Sequence, residues 1–335
     1  MKPALLRRAL ESRPVRAGLR LLERFDSRNP AVLRVLTYHV IEDSVGFREQ
    51  MQHLAARYHP LTAAEVEGAL AERGALPPRA VLVTFDDGDR NFGEVAWPIL
   101  REVGVPAHLF VATDYPDQPE RRFWWDELIH AVHQTQASTV ACEGGSLSLG
   151  SASERQQAIR VLKQEVQRLE PRDVGQWIEV LRRQLDVEPS PPRVLSWTAL
   201  RALVGEGLGI GAHTRSHPFL DRLDPDTLRE EIEGSIDDLE RELGQRPTTF
   251  AYPNGRYSEA VVEAVRRAGV SLAFTTERGP NDLRCLDPLR LRRINIGPRV
   301  GGGILQARLL QSSTRISRSS LPSAASTGPS DRPPA

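Results

Sequence analysis

Two short stretches hold side chains whose types and spacing could do chemistry. In "VLVTFDDGDRN", residues 81–91, an apolar β-branched run ends in adjacent carboxylates, Asp86 and Asp87, followed by Gly88. Like charges side by side are costly where the local dielectric is low. A surface turn tolerates them; a bound cation tolerates them and gives them a task. In "GAHTRSHPFL", residues 211–220, His213 and His217 stand four apart. On a helical turn that spacing puts both imidazoles on one face. Pro218 disfavours helix at His217 and points to a tight turn instead. Taken singly, each pair also fits a bland reading, a polar turn or two solvated or core histidines. Taken together they say more, because each follows an apolar strand, and strand ends of one parallel sheet point to the same edge. One Asp and two His make a three-ligand set with room left for water, the open arrangement of a hydrolytic metal site.

The elements that must position these groups follow a regular rhythm. "AVLRVLTYHVI" (31–41), "RAVLVTF" (79–85) and "PAHLFVAT" (106–113) read as short buried strands. "FREQMQHLAARY", "TAAEVEGALAERG" and "GEVAWPILREVG" read as helices, the second opened by a capping box at Thr62 and Glu65 and the third closed at Gly104. The alternation resumes near residue 198 and runs to "RLRRINIG". Continuous apolar strands alternating with amphipathic helices predict an α/β fold, a parallel sheet covered by helices, open or closed into a barrel. Residues 117–193 break the rhythm. They hold no convincing strand pair and read as a helical insertion in a βα loop, placed to wall a substrate groove.

Bulk properties bound the function. The chain has 335 residues, with 44 Lys and Arg balanced by 44 Asp and Glu. Nothing in this charge balance points to nucleic acid. The two cysteines, Cys142 and Cys285, lie far apart and suggest neither a disulfide framework nor a thiolate metal site. Residues 1–30 carry a surplus of arginine with leucines at helical spacing. They read as a basic amphipathic helix, either packed on the main domain or lying on an anionic membrane through residues 1–28. Pro14 interrupts this helix. The stretch lacks the apolar core of a secretory signal, which predicts a cytoplasmic protein, peripheral at the inner membrane face. Residues 312–335, rich in Ser, Pro and Ala, read as a disordered tail.

"TFDDG" at 84–88 and "HTRSHP" at 213–218, in this order and context, resemble the polysaccharide deacetylase family, the NodB-homology or carbohydrate esterase family 4 group. The resemblance covers roughly residues 31–300. It implies an irregular (β/α) barrel of about seven parallel strands and removal of N-acyl groups from sugars. It assigns Asp87, His213 and His217 as ligands of one divalent metal ion, zinc first, with cobalt, manganese or nickel as alternatives. It makes Asp86 the general base.

A third stretch, "TTFAYPNGRYS" (248–258), resembles the family's third motif at Pro253 and Gly255 but departs from it at Ala251, where the family has arginine, and at Asn254, where it has tyrosine. Another cation must then orient Asp86, and Arg293 is the candidate. The backbone N–H of Asn254 takes the oxyanion position, and Tyr252 is a candidate substrate contact. No histidine follows His217, so the family's late histidine motif is absent. "LTYH" (36–39) looks like the subgroup that carries it near the N-terminus, which makes His39 the general acid. Trp124 and Trp125 are candidates for stacking on sugar rings, against the plainer reading of aromatic anchors for a helical cap. The other histidines, His53, His59, His108, His130 and His133, read as structural.

These readings predict a metal-dependent hydrolase acting on an N-acylated sugar in a polysaccharide or a lipid-linked glycan precursor. Ala251 and the missing late histidine leave two rivals open: an inactive glycan-binding or scaffolding protein that keeps the barrel, and a deacylase of a non-sugar amide.

Overall fold

A computed structural model describes residues 9–24, 31–72, 74–298 and 300–319. Its strands, in chain order, are β1 (Val32–Tyr38), β2 (His59–Leu61), β3 (Ala80–Phe85), β4 (His108–Val111), β5 (Thr139–Cys142), β6 (Gly145–Ser148), β7 (Gly209–Ala212), β8 (Thr249–Ala251), β9 (Leu272–Arg278), β10 (Asn281–Asp282) and β11 (Leu291–Asn295). β1, β3, β4, β7, β8, β9 and β11 pair in parallel around a closed ring, the last joining the first. The sequence-based expectation of a seven-stranded (β/α) barrel holds. The ring is irregular because two strands share edges with short neighbours. β2 pairs with Ala80–Leu82 of β3, while β4 takes Thr84 and Phe85 on the same side. Antiparallel β10 similarly pairs with the start of β1, and β11 with its end.

Side chains alternate across the barrel wall, as strand geometry requires. Leu33, Val35, Leu82, Phe110, Phe274 and Leu291 fill the interior. Leu36, Tyr38, Val81, Val83 and Phe85 face the surrounding helices. The filling is tight at Gly211, where a Cβ would overlap Thr249 Oγ1 and the Phe110 ring. The inward phase, followed to the C-terminal ends of the strands, brings Thr37, Asp86, His213 and Arg293 to one mouth of the barrel.

The insertion leaves after β4 and returns before helix Trp197–Gly205. Its helices Trp124–Gln134, Ala152–Val166 and Val174–Leu185 bury Leu128, Val132, Leu162, Ile178 and Leu181 in a core of their own. One expectation is corrected here: the insertion does contain a strand pair, the antiparallel hairpin β5–β6. Its strands are short and largely exposed, and only Val140 and the flanking Leu149 are buried. The returning chain is tied to the segment behind Asp87. Arg193 pairs with Asp89 at 2.9 Å, and Leu195 N–H donates to the Gly88 carbonyl at 2.9 Å.

The N-terminal helix Arg13–Arg24 packs on the domain. Glu11 accepts from Gly303 N and Ile304 N at 3.1 Å, capping helix Gly302–Ser319, and buried Glu23 meets His53 Nε2 at 2.8 Å. The expected break near Pro14 falls at Glu11–Ser12, just before this helix. Leu21 and Leu22 remain 55% and 57% exposed. Residues 1–8 and 25–30 lie outside the described residues. The expected tail from residue 312 is also corrected, since helix Gly302–Ser319 runs into it. Ile304, Leu305 and Leu309 anchor its first half in the core. Residues 320–335 lie outside the described residues. None of the described helices is long and apolar enough to cross a membrane.

Candidate active site

Asp87 closes the turn after β3 in the left-handed region, with φ 75°. His213 directly follows β7, and His217 stands in the next turn, with φ 60°. Thr214 (φ 65°) and Asn254 (φ 54°) complete a group of non-glycine residues with positive φ around one cavity. Such backbone is strained and persists only where its surroundings over-determine it. Here they do. His213 N–H donates to the Val111 carbonyl at 3.0 Å, and Thr113 N–H to the Thr214 carbonyl at 3.1 Å. His217 N–H donates to Thr214 Oγ1 at 3.0 Å. Glu231 accepts from the N–H groups of Arg215 and Ser216, both at 2.9 Å. The two histidines are thus gathered by a pinned loop, not by the helical turn their spacing allows.

The Asp87 Oδ1 atom lies 3.5 Å from His213 Nε2 and 3.6 Å from His217 Nε2. The three ligand atoms sit within 4.8 Å of one another. Their chemistry fits a divalent cation. His213 Nδ1 lies 2.7 Å from the Ala251 carbonyl, which can only accept, so Nδ1 carries the proton. The Nε2 lone pair then faces a carboxylate, an arrangement that calls for a positive charge between them. Burial pushes His217 down to about 3, helped by neighbouring His213, so its imidazole is neutral as a ligand must be. Burial opposes charge on His213 and Asp87 as well. The opposite charges that face each other across the set outweigh it, raising His213 and holding Asp87 low.

Asp86 is buried beside this set. Arg293, 1% exposed on β11, grips it with both ends of the guanidinium, Nη1 to Oδ1 and Nη2 to Oδ2, each at 2.7 Å. Arg293 Nε is itself fixed by the Thr275 carbonyl at 2.8 Å. Burial would raise the Asp86 carboxyl. The charges of Arg293, His213 and His39 prevail and hold it below the ordinary carboxylate range. The cation missing at Ala251 is therefore supplied from β11. Ala251 itself is fully buried and lends its carbonyl to His213.

His39, just beyond β1, lies 3.8 Å from Asp86 Oδ2 and is 44% exposed to the cavity. The cavity measures about 250 Å³. Asn254 and Thr276 form part of its rim, and Gly255 is required there because a Cβ would overlap Thr276. Trp124 and Trp125 line it from the insertion. The Trp125 ring stacks on Phe123 at 4.4 Å between centroids and lies 4.5 Å from the His217 ring. The substrate-contact expectation for Tyr252 needs correcting. Tyr252 backs the cavity wall, but its side chain is fully buried and its hydroxyl donates to the Leu289 carbonyl at 2.9 Å. Residue-by-residue reading missed Lys163 and Gln167, which reach the cavity from the insertion. A signal was available in the composition: Lys163 is one of only two lysines among 44 Lys and Arg side chains. His108 is structural as expected, buried and bonded to Thr249 Oγ1 at 2.7 Å.

The family described as "Polysaccharide deacetylase" matches residues 73–273, more than half of the chain. A Bacillus subtilis protein described as a polysaccharide deacetylase, YxkH, is 21% identical over 286 residues, 83% of this chain and 76% of its own. Among solved structures, the Streptococcus pyogenes deacetylase PplD in complex with acetate matches with a TM-score of 0.58 at 22% identity, covering 85% of this chain and 99% of that one. IcaB from Ammonifex degensii matches with a TM-score of 0.55 at 22% identity, covering 86% and 98%. A barrel mouth carrying an Asp/His/His set beside a clamped aspartate, on a chain matched in this way, defines the class. The chain belongs to the polysaccharide deacetylase family.

Proposed function

We propose that this protein is a metal-dependent deacylase that removes an N-acyl group, acetyl first, from a sugar in a polysaccharide or a lipid-linked glycan precursor. One observation carries the reading. A three-ligand set of Asp87, His213 and His217 shares a cavity with an aspartate that is ionised, fixed by Arg293 and left with free lone pairs. Asp87, His213 and His217 would hold a divalent cation, zinc first, which would supply a water of pKa about 7 and polarisation of the acyl carbonyl. The chain's own residues do the rest. Asp86 accepts the proton of the attacking water, and Arg293 holds the carboxylate ionised and aimed while it does so. The backbone N–H of Asn254 takes the developing oxyanion. His39 delivers a proton to the leaving amine. Trp124 and Trp125 face the sugar.

The rival reading of an inactive glycan binder drew on Ala251 and the missing late histidine. His39 lines the cavity and Arg293 clamps Asp86 at its wall, so each role has a candidate residue, which supports the active reading. We propose that the protein is cytoplasmic and peripheral at the inner membrane face, a reading supported by exposed Arg13, Arg20, Leu21 and Leu22.

The test is elemental analysis of the wild type and of His213→Ala, purified without added metal or chelator, together with acetate release from an N-acetylated oligosaccharide. We expect about one divalent ion per wild-type chain, lost in the variant along with acetate release. A wild type that takes up no metal on titration would remove this mechanism.

A further inference from the structure

The insertion brings to the cavity a cation that the chemistry above does not use. Helix Ala152–Val166 buries Ala158, Ile159, Leu162 and Val166 in the insertion core. Lys163, on the flank of that face, is half-buried and lines the cavity shared with Asp86, Asp87 and the two ligand histidines. Among the described residues, neither a hydrogen bond nor an ion pair holds its ammonium. The carboxylate that acts on it through space is Asp126, on helix Trp124–Gln134. Asp126 is no dedicated counter-ion. It also feels Arg193, and burial raises its carboxyl to about 6.

The Lys163 ammonium lines the cavity with no acceptor from the protein among the described residues, so its three donors face water that an anionic ligand group can displace. Burial lowers the affinity of Lys163 for its proton. The cavity lining offers it no free carboxylate. Asp86 and Asp87 are the acidic side chains lining the cavity; the first is clamped by Arg293, the second belongs to the ligand set. With a divalent ion in place, the mouth therefore carries surplus positive charge. The residue type adds to this. The chain makes nearly all its positive charge with arginine, and Lys163 is the sole lysine among the described residues. Arginine presents a rigid fork, whereas lysine offers a compact point charge on a flexible stem that can follow a ligand.

We propose that Lys163 is the anion-recognition residue of the substrate groove, binding a carboxylate or phosphate carried by the N-acyl sugar at or next to the ring that is deacylated. The proposal rests on the deacylase reading for the identity of the sugar but not for the existence of the anion subsite. It deepens that reading from an N-acylated sugar to an anionic one, such as an N-acyl uronic acid or a sugar phosphate.

The experiment is isothermal titration of the metal-loaded protein with N-acetylglucosamine, its 1-phosphate and its uronic acid, for the wild type, Lys163→Met and Lys163→Arg. We expect one of the two anionic sugars to bind about tenfold more tightly than the neutral one. Lys163→Met should erase that preference while leaving the neutral sugar within about twofold, and Lys163→Arg should restore most of it. Whichever anionic sugar shows the effect identifies the anion. The proposal is overturned if the wild type shows no preference. It is equally overturned if Lys163→Met keeps the preference, since the metal would then be binding the anion, or if it weakens all three sugars alike. Acetate release followed in parallel separates the two readings: anion-dependent binding without acetate release sinks the deacylase and leaves the subsite standing.

Discussion

Asp86 and Arg293 stand 207 residues apart in sequence and form a buried, doubly hydrogen-bonded ion pair. Removing one partner of such a pair leaves an uncompensated charge, a loss of about 3–5 kcal/mol. Arg293→Met should therefore lower stability by that order and abolish turnover. Asp86→Asn should lower kcat by about 10²–10⁴-fold while leaving the bound metal in place, because Asp86 is not in the ligand set. Combining the two substitutions should recover much of the stability lost in Arg293→Met and none of the activity. Urea unfolding and acetate release, run on the same three variants, check this. A double variant no more stable than Arg293→Met would mean that Arg293 acts by packing and not by charge. The Asp87, His213 and His217 cluster was legible in the sequence because short motifs carry it: two carboxylates at a strand end, two histidines four apart. The Arg293 pairing rested on a process of substitution, a cation required somewhere once Ala251 occupied the arginine position. No local pattern encodes a contact across 207 residues. Lys163 escaped because a single lysine on a helix looks like any solvated cation until the insertion is folded against the barrel.

The strands were legible because they are buried on both faces and read as unbroken apolar runs. The hairpin β5–β6 was not, since it has neither a long apolar run nor a buried face to reveal its period. Two features of the barrel interior give predictions at this level. Gly211→Ala places a methyl group against Thr249 and Phe110 inside a filled barrel. Overpacking of this kind destabilises by about 1–3 kcal/mol, which a fall in Tm would register; an unchanged Tm would show that the interior yields. The second concerns His108, which burial pushes from 6.5 down to about 4. The unfolded chain gains this proton first as pH falls. Stability is therefore lost as pH drops from about 6.5 towards about 4, amounting to about 3 kcal/mol across the window. His108→Gln should flatten this dependence. Urea unfolding at pH 7 and at pH 4.5, in chelator so that metal release does not intrude, compares the two; equal slopes would remove His108 as the cause.

At the scale of the molecule, the barrel is flanked by an insertion that walls the cavity and by an N-terminal helix laid on the C-terminal one. The exposed Leu21 and Leu22, next to Arg20, define a surface with the composition of an interfacial helix. The wild type should sediment with vesicles containing phosphatidylglycerol and not with neutral phosphatidylcholine vesicles. Leu21→Glu with Leu22→Glu should release it without altering acetate release from a soluble oligosaccharide. Retention of the double variant on the vesicles would assign the binding elsewhere.

The closure of the ring has a further consequence, in time. β1 has strand partners in β3, on one side, and in β11, among the last strands to be made. A chain emerging from the ribosome has Asp87, His213 and His217 by residue 217, but the Ala251 carbonyl that orients His213 comes later, and the guanidinium that grips Asp86 arrives only when residue 293 is out and β11 has docked between β1 and β9. Nascent or truncated chains that stop short of β11 thus carry the Asp/His/His side chains without the fixed Asp86–Arg293 pair. Closure of the ring by β11 is therefore the step that completes the candidate site.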